Sequence, residues 1–274
     1  MNLSKEKIGF LDLIKERVKI FFFLMKEGYR LKDKMIILLY HLKAPVQLFN
    51  YLSGRKNTRK LVGNVFIKNK YGLFFCGDNF SSVLGVSSMC EPAVRMEMNL
   101  VQGVAMDIGA NCGMFTIPLA RKLGNNGRVI SIEAERKNVE LLKRNVKLNK
   151  LENVHIIDKG CYSKKGEMTF YLDRFGTGGH SLLEIKNAKK ETIKIDTIDN
   201  ILRDLKIKHV DLIKVDVEGV EIEVFKGAKN TLKRSHPKMV FEAMTPKKIE
   251  EIKKFLSKYK YKIRKITDVN YVAK

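Results

Sequence analysis

Apolar positions change their period along this chain, and each change marks a new element. Up to about residue 60 they recur at helical spacing. Ile8, Leu11, Ile14, Val18, Phe21 or Phe22, and Met25 lie on one face of a helix, with Lys15, Arg17, Lys19 and Lys26 among them. Gly28 ends that run, and a second helix is predicted over 31–43, carrying Met35, Ile36, Leu38 and Leu39 before Pro45. From about Leu61 the pattern turns to strands. Residues 62–68 and 71–76 flank Asn69-Lys70 as a hairpin, and 91–101 reads as a helix. Strands at 104–108, 128–133, 154–158, 211–219 and 238–242 then alternate with helices at 115–123, 136–149 and 220–234. Between these lie alternating strands at 168–173 and 192–196, and the tail reads as a helix (246–258) followed by an antiparallel pair (260–266 and 270–273). This alternation predicts an α/β fold with a doubly wound, mostly parallel sheet. The organisation expected is an N-terminal helical extension, 1–60, and one α/β domain, 61–274.

The richest chemistry sits at the first crossover. Val104, Ala105, Met106 and Ile108 make a short apolar run typical of a buried parallel strand, and Asp107 stands near its carboxyl end. Gly109, Asn111 and Gly113 follow at two-residue steps, and then the helix begins. Ligands bind at such a turn, outside the carboxyl ends of the strands. A dinucleotide fingerprint would place a glycine where Asn111 stands and another three residues on. Neither is present, and the Asp107 carboxylate is a poor neighbour for phosphates but a good one for a cation. S-adenosylmethionine, which carries an ammonium and a sulfonium and no phosphate, suits this turn better. The next strand ends in Glu133, placed to accept both ribose hydroxyls, and 154–158 ends in Asp158, where the adenine is expected. The plainer alternative is that Asp107 caps the loop and the glycines only turn the chain.

A second group of charges ends the later strands. In Asp211-Leu-Ile-Lys-Val-Asp-Val-Glu-Gly219, Lys214 and Asp216 are two apart and share a face, Glu218 follows, and Glu242 ends the strand at 238–242. A hydroxyl is a weak nucleophile, so a base is useful: Asp216 is the first candidate, and His180, in the glycine-rich stretch 174–181, is the second. Glu218 and Glu242 are candidates to bind the acceptor or a divalent metal ion that polarises it. For each acid the plain alternative is a helix cap, and for His180 a solvated loop histidine.

Composition changes this picture little. At 274 residues the chain can bury a sizeable core. The net charge of +23 invites a nucleic acid or an anionic membrane, yet the lysines are spread over nearly every segment, as in a compositionally biased proteome. Cys76, Cys90, Cys112 and Cys161 show no metal-ligand spacing and read as structural thiols. Neither a secretory leader nor a membrane-length apolar run is evident, so a cytoplasmic protein is expected. Residues 1–60 are read first as a layer packed on the domain and second as a basic amphipathic anchor on a membrane surface.

Taken together, Asp107-Ile-Gly-Ala-Asn-Cys-Gly113, Ile132-Glu-Ala-Glu-Arg-Lys-Asn138 with Asn149 and Asn153-Val154, and Ile213-Lys-Val-Asp-Val-Glu-Gly219 with Glu221, Gly227 and Ala228 resemble the FkbM-type S-adenosylmethionine-dependent methyltransferases. The resemblance spans roughly residues 60–270 and departs at Ala134-Glu135, where a proline commonly follows the acid. It implies a Rossmann-like class I methyltransferase fold, with a seven-stranded sheet carrying one antiparallel strand. It also implies O-methylation of a hydroxyl on a sugar, glycan or small molecule by in-line displacement. Carried across, Asp107, Gly109, Asn111 and Gly113 hold the methionine portion, Glu133 the ribose and Asp158 the adenine. Lys214, Asp216, Glu218 and Glu242 line the acceptor side. Two alternatives stand beside this: an RNA methyltransferase, invited by the charge, and a nucleoside-binding scaffold without catalysis, docked to membrane through 1–60.

Overall fold

The structure, a computed structural model, describes residues 10–43, 46, 53, 60–172, 181–184 and 188–274. Its centre is a seven-stranded sheet in the order β11-β12-β10-β9-β3-β4-β5. The strands are β3 (Gly103–Ile108), β4 (Gly127–Glu133), β5 (Val154–Asp158), β9 (Leu212–Val215), β10 (Lys238–Glu242), β11 (Ile263–Lys265) and β12 (Asn270–Ala273). Only β12 runs antiparallel to its neighbours; the other pairings are parallel. From β3 the chain winds outward through β4 and β5, then returns to place β9 on the other side of β3. That reversal opens a crevice at the carboxyl ends of β3 and β9, where doubly wound sheets bind ligands.

Both faces of the sheet are covered, which is why its strands read as nearly continuous apolar runs. Met106, Ile130, Ile213 and Met239 pack one way, against Leu202, Val224, Leu232 and Ile252. Their neighbours Ala105, Val129, Leu212 and Val240 pack the other way, against Phe115, Leu119 and Leu123. The second set includes α5 (Thr116–Leu123), the helix after the glycine turn. On the first face lie α7 (Ile198–Asp204), α8 (Glu221–Lys226), α9 (Lys229–Ser235) and α10 (Pro246–Leu256).

A separate core joins the N-terminal segment to the sheet. Helices α1 (Phe10–Glu27) and α2 (Leu31–Leu42) bury Leu24, Ile36, Ile37 and Tyr40 against the hairpin β1 (Phe66–Asn69) and β2 (Gly72–Phe75). That hairpin is tied to α6 (Arg136–Leu148) by two asparagines. Buried Asn145 accepts from Phe75 N at 2.6 Å and donates to Phe75 O and Cys112 O, while Asn149 accepts from Leu73 N and donates to Leu73 O. Buried Asn145 thus partners its oxygen and both amide hydrogens, as burial demands, and half-buried Asn149 spends its second hydrogen on Asn145 O.

Several elements differ from the sequence expectation, each for a local reason. The hairpin turns at Lys70-Tyr71, because Asn69 pairs with Gly72. Helix 91–101 shrinks to α4 (Pro92–Glu97), and α3 (Phe80–Val86), started by an Asn79 cap on Ser81 N, precedes it. The helix expected over 220–234 breaks into α8 and α9. At the break, the Gly227 backbone lies so near Tyr162 O that a Cβ would stand 2.2 Å from it. The Asp199 carboxylate, from α7, then accepts from Asn230 N and Thr231 N and caps the new helix. The alternating segments form a second sheet: β6 (Gly160–Cys161), β7 (Gly166–Leu172) and β8 (Lys189–Asp196) in the order β6-β8-β7. The four cysteines are free thiols, three of them buried. Among the described residues, no helix is long and apolar enough to cross a membrane.

Candidate active site at the switch point

Side chains alternate along a strand, and the charges keep step with the apolar set that faces α5. Asp107 continues the parity of Ala105, Ser131 and Glu133 that of Val129, Lys214 that of Leu212, and Glu242 that of Val240. Charge is thus collected on one side of the sheet, at its carboxyl edge.

On the β3–β4 side, the glycine turn is locked to the β9 turn. Asp216 N donates to Ile108 O at 2.9 Å. A Cβ at Gly109, whose φ is +80°, would stand 1.8 Å from Asp216 O, so only glycine fits. Asn111 also takes a left-handed φ of +50° and donates its N–H to Glu133 Oε2 at 2.7 Å. Glu133 Oε1 accepts from Glu135 N at 2.9 Å. A carboxylate has about four lone-pair sites, so two remain for further hydroxyl donors. Burial raises the Glu133 carboxyl to about 7. Asp158 stands exposed at the end of β5, in register with Glu133.

Asp107 is enclosed. Its Oδ2 accepts from Thr116 Oγ1 at 2.6 Å, and Thr116 Oγ1 also meets Ser131 Oγ at 2.8 Å. Burial raises Asp107 to about 6, with the Thr116 bond and the Lys214 charge opposing that rise. The carboxylate therefore joins the start of α5 to β3 and β4, as the loop-capping alternative has it, and also faces Lys214 across the strands.

On the β9–β10 side the charges crowd. Lys214 is fully buried, its Nζ 3.1 Å from Asp216 Oδ2 and 5.2 Å from the centre of the Phe115 ring. Burial works against its charge, but the attractions of Asp216 and Glu91 outweigh this and raise its pKa. Asp216, Glu218 and Glu242 each offer an oxygen within 4.8 Å of the others, a hard-oxygen donor set suited to a divalent cation. Burial, and then Asp216 and Glu221, raise Glu218 to about 7. Burial, then Asp216 and Glu218, push Glu242 well above the usual carboxylate range. Glu218 holds a left-handed φ of +53°, and its carbonyl accepts from Ser181 Oγ at 2.8 Å. His180 lies outside the described residues, as does Asp173 of the expected strand.

Sequence reasoning missed Glu91. It precedes α4 at a φ of +47°, and its Oε2 is buried without a hydrogen-bond partner among the described residues. Burial raises its pKa, against the pull of Lys214. Nothing in the local pattern marks it, since its neighbours in the site come from β9. Ser131 and Thr116 were also missed: Ser131 stands beside Asp107 by strand register, and Thr116 is brought to it by the first turn of α5.

The turn also passes a test of fit for S-adenosylmethionine. Its backbone is opened by Gly109, Asn111 and Gly113, its ligand-side groups are carboxylates, and Glu133 has acceptor capacity left for a diol. A doubly wound seven-stranded sheet with a reversed penultimate strand, carrying such a turn at its switch point, defines the Rossmann-like methyltransferases. Residues 107–263 match the methyltransferase FkbM domain, which is more than half of the chain, and the chain belongs to that family. It is an S-adenosylmethionine-dependent methyltransferase.

Among curated proteins, it is 28% identical to a probable cobalt-precorrin-6B C(15)-methyltransferase (decarboxylating) of Sulfurisphaera tokodaii, over 46% of this chain and 69% of that one. It is 29% identical to the methyltransferase sdnD of Sordaria araneosa, over 44% of this chain and 59% of that one. Among solved structures, the methyltransferase FkbM of Methylobacillus flagellatus aligns with a TM-score of 0.48 at 17% identity, covering 95% of this chain and 60% of that one.

Proposed function

We propose that this methyltransferase acts on a hydroxyl of a sugar, a glycan or another small-molecule acceptor, and that residues 61–274 are its catalytic unit with 1–60 as a helical extension. In this reading Gly109, Asn111 and Gly113 hold the methionine portion of the donor above Asp107, Glu133 holds the ribose and Asp158 the adenine. S-adenosylmethionine, when bound, supplies an electrophilic sulfonium methyl group. Asp216 accepts the proton of the acceptor hydroxyl, and Lys214 fixes the carboxylate that does so. Glu218 and Glu242 bind further hydroxyls of the acceptor. His180 is the second candidate base.

The observation that supports this best is the Asp216 carboxylate, held at 3.1 Å by a fully buried lysine at the mouth of the crevice. A hydroxyl acceptor needs such a proton acceptor within hydrogen-bonding reach. Holding it in place removes much of the entropy cost of the encounter. The cluster of Glu218 and Glu242, with carboxyls raised toward neutrality, suits an acceptor rich in hydroxyls, because a protonated carboxyl donates as well as accepts.

The test is transfer of labelled methyl from S-adenosylmethionine into a lysate fractionated into RNA, protein, and glycan or lipid, with Glu133→Ala as the control. Label in a nuclease-resistant glycan, lipid or small-molecule fraction, absent with the variant, supports the hydroxyl reading. Label in RNA overturns it. No label from a chain that binds the donor leaves a nucleoside-binding scaffold. A chelator arm reads whether the trio of carboxylates works through a divalent ion, since chelator-insensitive transfer removes the metal from the reaction.

A further inference from the structure

Helices α1 and α2 carry apolar side chains on two sides. One side is the core already described. The other faces outward: Leu31, Met35, Leu39 and Leu42 of α2 are exposed, Leu31 by 78% and Leu42 by 66%. At about 100° per residue these four fall within about 80° of the helix circumference, a single stripe. On α1, Ile14, Val18 and the 66%-exposed Phe22 make a matching stripe at four-residue steps. Elsewhere among the described residues, exposed large apolar side chains are few and scattered, which is ordinary for a surface.

The charges are sorted around these stripes. On the same helical wheel, Lys15, Lys19 and Lys26 border the α1 stripe, and Lys32 and Lys43 border the α2 stripe with Lys34 on its other flank. The buried acids occupy the far arc. Asp33 is buried and clamped by the Arg30 guanidinium at 2.8 and 2.9 Å, and buried Glu27 accepts from Ser88 N at 3.3 Å. Asp12 and Glu16 sit just beyond the lysine border and reach back to it in exposed pairs, Asp12 with Lys15 at 3.6 Å and Glu16 with Lys19 at 3.8 Å, while Lys26, Lys32 and Lys43 carry the border further along.

We propose that these two stripes dock the chain on an anionic membrane surface. An apolar stripe edged by lysines sinks its side chains to the headgroup boundary and sets its ammonium groups among anionic lipids. The net charge of +23 acts in the same direction. Neither helix is long and apolar enough to cross the bilayer, so both lie along it. The docking face and the catalytic crevice belong to one packed body. Glu27, at the end of α1, holds Ser88, and Glu91, three residues further on, shares the electrostatic neighbourhood of Lys214 and Asp216.

The full chain is to be sedimented with vesicles of phosphatidylcholine alone and of phosphatidylcholine with phosphatidylglycerol. The expected result is binding about tenfold or more tighter to the anionic vesicles, weakened by salt. Phe22→Glu/Leu31→Glu/Leu42→Glu should lose about tenfold or more of that affinity with an unchanged melting temperature, because the stripe is solvent-facing. Lys15→Glu/Lys19→Glu/Lys32→Glu should lose the preference for phosphatidylglycerol. The control Val62→Glu/Met96→Glu/Val101→Glu, at exposed apolar positions elsewhere, should bind like the parent. Equal binding by the stripe variant and the parent overturns the proposal, leaving net charge as the cause. A parent that ignores vesicles also overturns it, and if that parent forms a dimer abolished by the stripe substitutions, the face belongs to a second copy of the chain.

Discussion

The two halves of the sheet edge use the same residue type to opposite ends. On the β3–β4 half, Asp107 and Glu133 stand apart, each satisfied by hydroxyl or backbone N–H donors. On the β9–β10 half, Asp216, Glu218 and Glu242 press together around one lysine, and Glu91 adds a carboxylate oxygen with no hydrogen-bond partner among the described residues. The first arrangement is what a binding surface needs: acceptors held in place, with capacity left over. The second is electrostatically crowded, because Lys214, with Arg95 on the Glu91 side, faces four nearby carboxyls. Groups in that condition are concentrated where proton transfer or acceptor binding takes place.

If the halves divide the labour in this way, they separate under mutation. Asp216→Asn should cost about 10²–10⁴ in methyl transfer, the usual contribution of a positioned proton acceptor. Calorimetric donor affinity should stay within about threefold of the parent. Equal losses of both would remove Asp216 from the base role. Lys214→Met should lower stability to urea by about 3–5 kcal/mol, the scale for stranding buried partners of an ion pair. Adding Asp216→Asn should restore part of it, and strict additivity of the two changes would break the picture of one coupled cluster. On the other half, Glu133→Ala should weaken donor binding by about 1.5–3 kcal/mol, the worth of hydrogen bonds to a charged group.

The smallest effect sharpens the comparison by pH. Burial raises Glu133 to about 7, whereas an unfolded glutamate titrates at about 4.3. Between those values the folded chain holds the extra proton, so stability falls as pH rises from about 4 to about 7 and then levels. Asp107, raised to about 6, acts in the same sense. Donor binding to ionised Glu133 should instead tighten as pH rises toward 7, by at most about tenfold per unit. Titrations of the melting temperature and of donor affinity, with Glu133→Gln as reference, check both slopes. A variant whose affinity keeps the parent's slope would place the titrating group elsewhere.

Much of this was legible in the chain itself. Short, nearly continuous apolar runs alternating with helical ones predicted the strands at 104–108, 128–133, 154–158 and 238–242 nearly to the residue, because strands buried on both faces leave little room for another pattern. Asp107, Glu133, Lys214, Asp216 and Glu242 were readable as edge residues because charge at the end of an apolar strand has only the crevice to face. The break at Gly227 was not readable, since it depends on Tyr162 O and on Asp199, groups brought there by other elements. Nor was α3, whose start is a side-chain cap on an otherwise featureless stretch.

The sequence by itself determined the fold class, the glycine turn at the crevice and which acids end which strands, since these follow from local periodicity and from the strand–turn–helix order. Tertiary structure alone decided which carboxyls meet. Glu91 joins Lys214 and Asp216 across more than a hundred residues of chain, and the proximity of Asp216, Glu218 and Glu242 is set by β9 and β10 lying side by side. It also decided that the stripes of α1 and α2 stay outside the core, because Leu24, Ile36, Ile37 and Tyr40 already fill the contact with the hairpin. Periodicity shows that a helix has apolar sides; only packing settles which of them is covered.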